Sequence, residues 1–285
     1  MNAEKDIFHS DYENQWCPGC GNFGILAAMQ DAFETLDLTP GQLLIVSGIG
    51  QAAKTPHFLR CNTFHGLHGR ALPVATGAKI ANHTLNIVVN SGDGDCYGEG
   101  GNHFLHAIRR NLDITLLVHN NKVYGLTKGQ ASPTSDMDMV TKIQKQGVSS
   151  EPFNPLAVAI VLGAGFVARG FSGDKEHLSE LIQLGIKHKG FSLIDILQPC
   201  VSFNTINTHG WYKKRVYALK ESGHAVEDPL RAIEKSFEWG DKIPVGVFYK
   251  KEKPTFTDQM STLQKKPLTS EKYDREKLQN FLSEL

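Results

Sequence analysis

Short apolar runs of four to six residues, spaced by stretches with helical periodicity, constrain this chain more than any other feature. Gln42–Ser47 (QLLIVS), Leu85–Val89 (LNIVV), Ile114–Val118 (ITLLV), Gly165–Ala168 and Leu193–Leu197 (LIDIL) are continuously apolar rather than alternating. That pattern is expected of strands covered on both faces. Between them, Phe23–Leu36, Asn102–Arg110, Pro155–Leu162 and Lys175–Lys187 carry helical spacing. Asn154 precedes Pro155 as an N-cap before a first-turn proline, and Asp174 stands at the N-cap of the next helix. Strands alternating with helices predict right-handed βαβ units and a doubly wound, mostly parallel α/β sheet over residues 10–200. Residues 201–250, with a helix at Pro229–Glu238 and an apolar run at Pro244–Tyr249, form an extension packed on that sheet. Residues 251–285, rich in Lys, Glu, Pro and Thr, read as a tail or subunit-contact arm.

Composition removes several classes of function. With 285 residues, 40% of them hydrophobic, the chain is neither disordered nor a disulfide miniprotein. Thirty basic residues balance thirty acidic ones, so no nucleic-acid or anionic-membrane surface is expected. The longest apolar run, Leu156–Ala168, has 13 residues and is broken by Gly163 and Gly165, against the ~20 of a spanning helix. The polar start of the chain carries no export signal, and a cytoplasmic location is expected. In that compartment the 5 cysteines are expected to be buried thiols, metal ligands or redox groups.

The chemistry concentrates at Ser91-Gly92-Asp93-Gly94-Asp95, which follows the LNIVV strand and precedes the glycine-rich Gly98–Asn102. In open α/β sheets ligands bind beyond the carboxyl ends of strands, and glycines there let backbone N–H groups approach a phosphate. Two aspartates beside that site would repel the phosphate unless a divalent cation such as Mg²⁺ lay between them. The next strand ends in His119-Asn120-Asn121, one strand–helix–strand unit later. A carboxylate, an amide oxygen and a nearby carbonyl then form half of an octahedral shell. Either fragment alone would be no more than a turn; their order and spacing point to a metal–diphosphate site.

GDG followed by about 25 residues and NN resembles the thiamine-diphosphate motif. The likeness extends further. WCPGCGNFGIL (16–26), SGIG (47–50), HGLHGRALPVATGAK (65–79), GDGDCYGEGGNHFLHAIRRN (92–111) and NNKVYGLTKGQASPTS (120–135) are similar, in order, to the β subunits of 2-oxoacid:ferredoxin oxidoreductases. The resemblance implies Mg²⁺ held by Asp93, Asn121 and the Val123 carbonyl. It implies Gly94, Asp95, Gly125 and Leu126 along the diphosphate and thiazolium, with Ile49, Gly50, Gln51, His68, Gly69 and Arg70 completing the pocket. Lys128 matches the position facing the 2-oxoacid, whose carboxylate needs a cation. The implied reaction is CoA-acylating oxidative decarboxylation of a 2-oxoacid, 2-oxoglutarate ahead of pyruvate, with electrons passing through an iron–sulfur cluster to ferredoxin. The glutamate that activates the cofactor would come from a separate α subunit. The chain alone would then be inactive, and the working unit would be αβ or (αβ)₂.

Cys17 and Cys20 form a C-x-x-C before the first helix, a spacing that also suits half a zinc site or a redox pair. The resemblance assigns them, with Cys200, to a [4Fe–4S] cluster. Where the family has cysteine after SGIG, this chain has Gln51. Cys61 is the candidate replacement if the intervening segment folds back; otherwise the cluster has a non-cysteine ligand or is lost. Cys96 reads as a packing thiol. His65/His68 and His103/His106 each make an H-x-x-H, for which zinc is conceivable, although no third ligand is apparent. Two other functions fit parts of this pattern: a non-redox thiamine-diphosphate decarboxylase subunit, and a non-catalytic zinc or iron–sulfur module.

Overall fold

A computed structural model describes residues 7–284. In chain order the sheet strands are β1 (Leu43–Ser47), β2 (Asn62–His65), β3 (Asn86–Gly92) and β4 (Ile114–Asn120). A small hairpin, β5 (Val123–Tyr124) and β6 (Gln130–Ala131), follows; β7 (Phe166–Phe171), β8 (Phe191–Leu197), β9 (Val216–Ala218) and β10 (Ile243–Lys250) complete the set. The main sheet has eight strands in the order β2-β1-β3-β4-β8-β7-β10-β9. Its first six strands are mutually parallel, β10 runs antiparallel to β7, and β9 is parallel to β10. The predicted doubly wound α/β fold is present, and residues beyond 200 extend the same sheet with β9 and β10.

Helices cover both faces, as the continuous apolar runs require. On one face, α1 (Asn22–Thr35) and α5 (Lys175–Lys187) pack Ile25, Met29, Phe33, Leu178 and Leu181 against Val88, Leu117, Ile194 and Ile196. The opposite face holds α2 (Ala71–Ala81), α3 (Gly101–Arg110) and α4 (Pro155–Val161), with α7 (Pro229–Ser236) alongside α4. There Leu72, Phe104, Ile108 and Leu156 meet Val89, Leu116, Val118 and Leu193. The two-residue period sends Val88 to one core and Ile87 and Val89 to the other. Asn154 and Asp174 cap α4 and α5 as predicted, accepting from the N–H groups of Ala157 and His177 at 3.1 Å each.

Among the elements that escape the sequence pattern, two lie beside β1 and β3. The helix α2 contains Pro73 and Gly77, yet Pro73 falls in the first turn, where its missing N–H has no partner to lose. Edge strand β2 is exposed along its whole length and so carries no apolar run. Lys251, Phe256 and Leu263 anchor the start of the final segment: the Lys251 N–H donates to the Gly165 carbonyl, the Phe256 N–H donates to the Asn111 carbonyl, and Leu263 is buried. A short helix, α6 (His209–Lys213), closes the region after β8, and α8 (Arg275–Ser283) ends the chain with no buried residue. No helix among the described residues is long and apolar enough to cross a membrane.

The chain leaves β1 toward β2 on one side and leaves β3 toward β4 on the other. The carboxyl ends of β1 and β3 therefore flank a topological switch point, where open α/β sheets form a crevice.

Candidate active site

That crevice is lined by Ile49–Gln51 from the tip of β1, Gly92–Asp95 from the tip of β3, and Asn121 and Val123–Thr127 from beyond β4, with His68 at one side. Aspartate and asparagine at the ends of adjacent parallel strands thus share one cleft. Asp93 is buried, and its Oδ2 accepts from Ser132 Oγ at 2.5 Å and Thr134 Oγ1 at 2.6 Å. Burial pushes its carboxyl up to about 6, although both hydroxyls oppose the shift. Behind it, Thr134 Oγ1 also lies 2.8 Å from Asn120 Oδ1, while Asn120 Nδ2 and Tyr97 Oη donate to the buried Asp195 carboxylate. Asn121 Oδ1 accepts from the Val123 N–H at 3.0 Å, a local turn that brings Val123 beside it. The sequence motifs do not single out Ser132, Thr134 or Tyr124. Both hydroxyls fall inside the 120–135 motif, but its sequence gives them no role, because they reach Asp93 only through the β5–β6 hairpin.

Asp95 has a different part from its neighbour. Its Oδ1 accepts from the N–H groups of Ile49 at 3.1 Å and Gly69 at 2.8 Å, and its Oδ2 from Ser91 Oγ at 2.5 Å. It lines the cleft as expected, but its carboxylate clasps the β1 tip to the loop before α2. Close approach explains the glycines around it: a Cβ on Gly48 would lie 1.9 Å from Asp95 Oδ2, and one on Gly69 (φ +66°) 2.5 Å from the Glu99 carbonyl carbon. On the far wall, a Cβ on Gly94 would lie 2.3 Å from the Tyr124 ring. From Gly94 to Glu99 the chain makes a π-helical turn, with the Gly100 N–H donating to the Asp95 carbonyl, before α3 begins.

Arg70 and Lys128 do not line the cleft. Arg70, just before α2, has its Nη1 2.9 Å from Nε2 of His103 in α3. Lys128 is exposed in the turn after Thr127, in a left-handed conformation (φ +83°) closed by its N–H donating to the Gly125 carbonyl. Neither H-x-x-H assembles a metal site. His65 stacks near His57, His103 faces Arg70, His106 faces Arg109, and no group of three His, Cys, Asp or Glu among the described residues converges on a single ion.

A second cleft adjoins the first, lined by Trp16, Cys17, Cys20, Asn22, Gln51, Asn121, Gly125, Gln198 and Cys200–Phe203. Gln51, Asn121 and Gly125 face both clefts and form the wall between them. The loop holding Cys17 and Cys20 docks on the segment after β8, where the Gly21 N–H donates to the Pro199 carbonyl. Cys17 Sγ accepts from Ser202 Oγ at 3.1 Å and Cys20 Sγ from Gln198 Nε2 at 3.4 Å. Burial pushes the Cys20 thiol up to about 11, and the neighbouring Cys200 and Cys17 add to it. Thiolates here need a cationic group among them.

Cys61 is not in this cleft. Register pairs Leu44 with Asn62 at the amino ends of parallel β1 and β2, whereas the cleft lies beyond their carboxyl ends. Roughly a strand length, ~15 Å, separates those levels. Its thiol sits against the Ile45 backbone on the core around Phe8 and Leu43, and burial pushes it up to about 12. The segment from Gln51 to Cys61 runs down the sheet instead of folding back, so Cys61 does not replace the missing ligand. Cys96 is buried in the other core beside Tyr97 and Phe104.

Residues 42–196 match the model of the thiamine pyrophosphate enzyme C-terminal TPP-binding domain, and residues 200–265 match that of the C-terminal part of the pyruvate ferredoxin oxidoreductase β subunit. Over 252 residues the chain is 51% identical to the 2-oxoacid:ferredoxin oxidoreductase subunit β of Saccharolobus solfataricus, covering 84% of this chain and 82% of that one. The chain is a β subunit of the 2-oxoacid:ferredoxin oxidoreductase family. It is also 43% identical over 197 residues to the 2-oxoglutarate oxidoreductase subunit KorB of Mycobacterium tuberculosis, covering 69% of this chain and 53% of that one. The 2-oxoglutarate:ferredoxin oxidoreductase of Magnetococcus marinus, solved with 2-oxoglutarate, coenzyme A and succinyl-CoA bound, superposes with a TM-score of 0.90 at 35% identity, covering 98% of this chain and 96% of that one. As a 2-oxoacid:ferredoxin oxidoreductase β subunit, the chain is part of an enzyme, carries a thiamine-diphosphate-binding domain, and implies an α partner. Membership sets aside the non-redox decarboxylase and the non-catalytic module.

Proposed function

We propose that this β subunit supplies the metal and diphosphate half of a thiamine-diphosphate site for CoA-acylating oxidative decarboxylation of a 2-oxoacid, 2-oxoglutarate ahead of pyruvate. Electrons leave through an iron–sulfur cluster to ferredoxin. The observation that carries this reading is the shared wall: the cleft holding Asp93 and Asn121 abuts the cleft holding Cys17, Cys20 and Cys200 through Gln51, Asn121 and Gly125. A site that decarboxylates and then removes electrons needs that adjacency.

Asp93, Asn121 and the Val123 carbonyl would hold Mg²⁺. The hard oxygen donors suit that ion, and the hydroxyls on Asp93 Oδ2 leave Oδ1 without a side-chain partner. Gly94, Asp95, Ile49, Gly50 and Gly69 would frame the diphosphate, with Gly125, Leu126, Gln51 and His68 toward the thiazolium. When bound, thiamine diphosphate supplies the electron sink for decarboxylation; the chain binds and orients it. Lys128 would meet the substrate, and Arg70 the cofactor, only with the α subunit in place. Cys17, Cys20 and Cys200 would hold the cluster. In this reading residues 10–200 form the cofactor-binding unit, 201–250 its extension and 251–285 a subunit-contact arm, in a cytoplasmic αβ or (αβ)₂ assembly. Substrate preference follows the relatives named for 2-oxoglutarate.

The test is anaerobic co-purification with the α subunit and a panel of 2-oxoacids with CoA and a viologen dye as acceptor. The expected result is dye reduction that requires both subunits and is fastest per unit concentration with 2-oxoglutarate. Faster turnover of pyruvate overturns the substrate order; turnover without CoA or without dye reduction overturns the reaction.

A further inference from the structure

The cleft between the cysteine loop and the end of β8 contains three thiols, not four, and its fourth side is closed by Gln51. Two buried carboxamide oxygens on its lining residues have no hydrogen-bond partner: Gln51 Oε1 and Gln198 Oε1. Gln198 is only 1% exposed. Buried polar atoms without partners are costly, and they mark a group the protein is built to receive. Gln51 is also held in place by its backbone, whose carbonyl accepts from Trp16 Nε1 at 2.8 Å. The remaining cysteines are held elsewhere, Cys61 at the other end of the sheet and Cys96 in the core.

We propose that this cleft holds an iron–sulfur cluster with one distinct iron, ligated by Cys17, Cys20 and Cys200 on three corners and by the Gln51 carboxamide oxygen on the fourth. The inference rests on the iron–sulfur reading above and goes beyond it by naming the fourth ligand. A carboxamide oxygen is neutral and hard, whereas a thiolate is anionic and soft, so it binds iron more weakly. The cluster then carries one negative charge fewer than a four-thiolate cluster. Fewer negative charges and buried N–H donors such as Gln198 Nε2 on Cys20 both make a cluster easier to reduce. The distinct iron is the one next to the cofactor cleft, because Gln51 is in the dividing wall. It is also the iron that can exchange or be lost.

The experiment compares the co-expressed complex containing wild type, Gln51→Cys or Gln51→Ala, purified without oxygen. Iron and acid-labile sulfide are counted, and mild oxidation is followed by electron paramagnetic resonance. Wild type is expected to bind iron and sulfide and to convert to a three-iron signal at least roughly tenfold faster than Gln51→Cys, with Gln51→Ala faster again. Equal resistance of wild type and Gln51→Cys overturns the proposal, since the fourth corner would then be held by some other group. Equal rates for wild type and Gln51→Ala also overturn it, reducing Gln51 to a spacer. Iron in Gln51→Cys alone overturns it differently, showing that Gln51 abolishes the cluster. Iron in none of the three removes the cluster reading itself. Should either variant fail to fold, wild type decides alone: ferrous iron in a Mössbauer-active isotope, added after oxidation together with a one-electron reductant, must enter one site, and uniform labelling or no uptake overturns the proposal.

Discussion

At the scale of single residues, two aspartates two positions apart have been given different work by their neighbours. Asp93 is held through one oxygen by two hydroxyls, and Asp95 is saturated by two backbone N–H groups and Ser91. Asp93→Ala should therefore abolish the rise in melting temperature that Mg²⁺ with thiamine diphosphate gives the complex, a rise worth a few kcal/mol at excess ligand. A retained rise would remove Asp93 as the metal ligand. Thr134→Ala keeps that carboxylate but frees its orientation. It should weaken Mg²⁺ in the same titration by about 10–100-fold, and an unchanged midpoint would sink that role. His119 gives a separate readout in pH. Burial lowers it to about 3, with its two ring nitrogens, one donor and one acceptor, 2.8 Å and 2.9 Å from the side-chain amides of Asn22 and Asn90. Below its ordinary value of 6.5 the unfolded chain takes up a proton that the folded chain does not. Stability is lost as pH falls from there toward 3, about 2 kcal/mol of it by about pH 5. Urea unfolding of wild type and His119→Gln should show a steeper loss in wild type; parallel curves would contradict it.

Elements bring these residues together through glycine more than through side-chain packing. The loop before α2 can reach Asp95 only because Gly69 adopts a left-handed φ and stands against the Glu99–Gly100 backbone. Gly69→Ala should break that clasp, costing about 1–3 kcal/mol and reducing the cofactor-dependent shift in melting temperature. Full retention of both would mean the loop is not held from this side. The predicted strands β1, β3, β4 and β8 and the caps at Asn154 and Asp174 were legible because buried runs and capping side chains leave local marks. The exposed β2 and the proline-bearing α2 leave none, and both are set by pairing with β1 and β3.

For the molecule as a whole, the cleft holding Asp93 and Asn121 opens beside exposed apolar side chains. Leu126 stands on its wall, and Phe64 and Leu67 flank Gly66, whose N–H donates to the Ser47 carbonyl at the end of β1. A monomer does not ordinarily leave such residues grouped around a site, and an α partner seated there would close it. Hydrogen exchange in residues 62–70 and 125–129 should slow on adding the α subunit. Protection confined to another surface, with these segments unchanged, would place the partner elsewhere.

The sequence by itself determined the layering, the strands whose tips carry Asp93 and Asn121, and the family, because these depend on local periodicity and on long contiguous motifs. Tertiary structure alone decided which side chains meet. Register took Cys61 to the opposite end of the sheet from Cys17, Cys20 and Cys200. The β5–β6 hairpin carried Ser132 and Thr134 to Asp93, and the strand order set Gln51 between two clefts. Each of these is a contact between residues distant in the chain, and no spacing rule along the sequence encodes which side chains such contacts bring together.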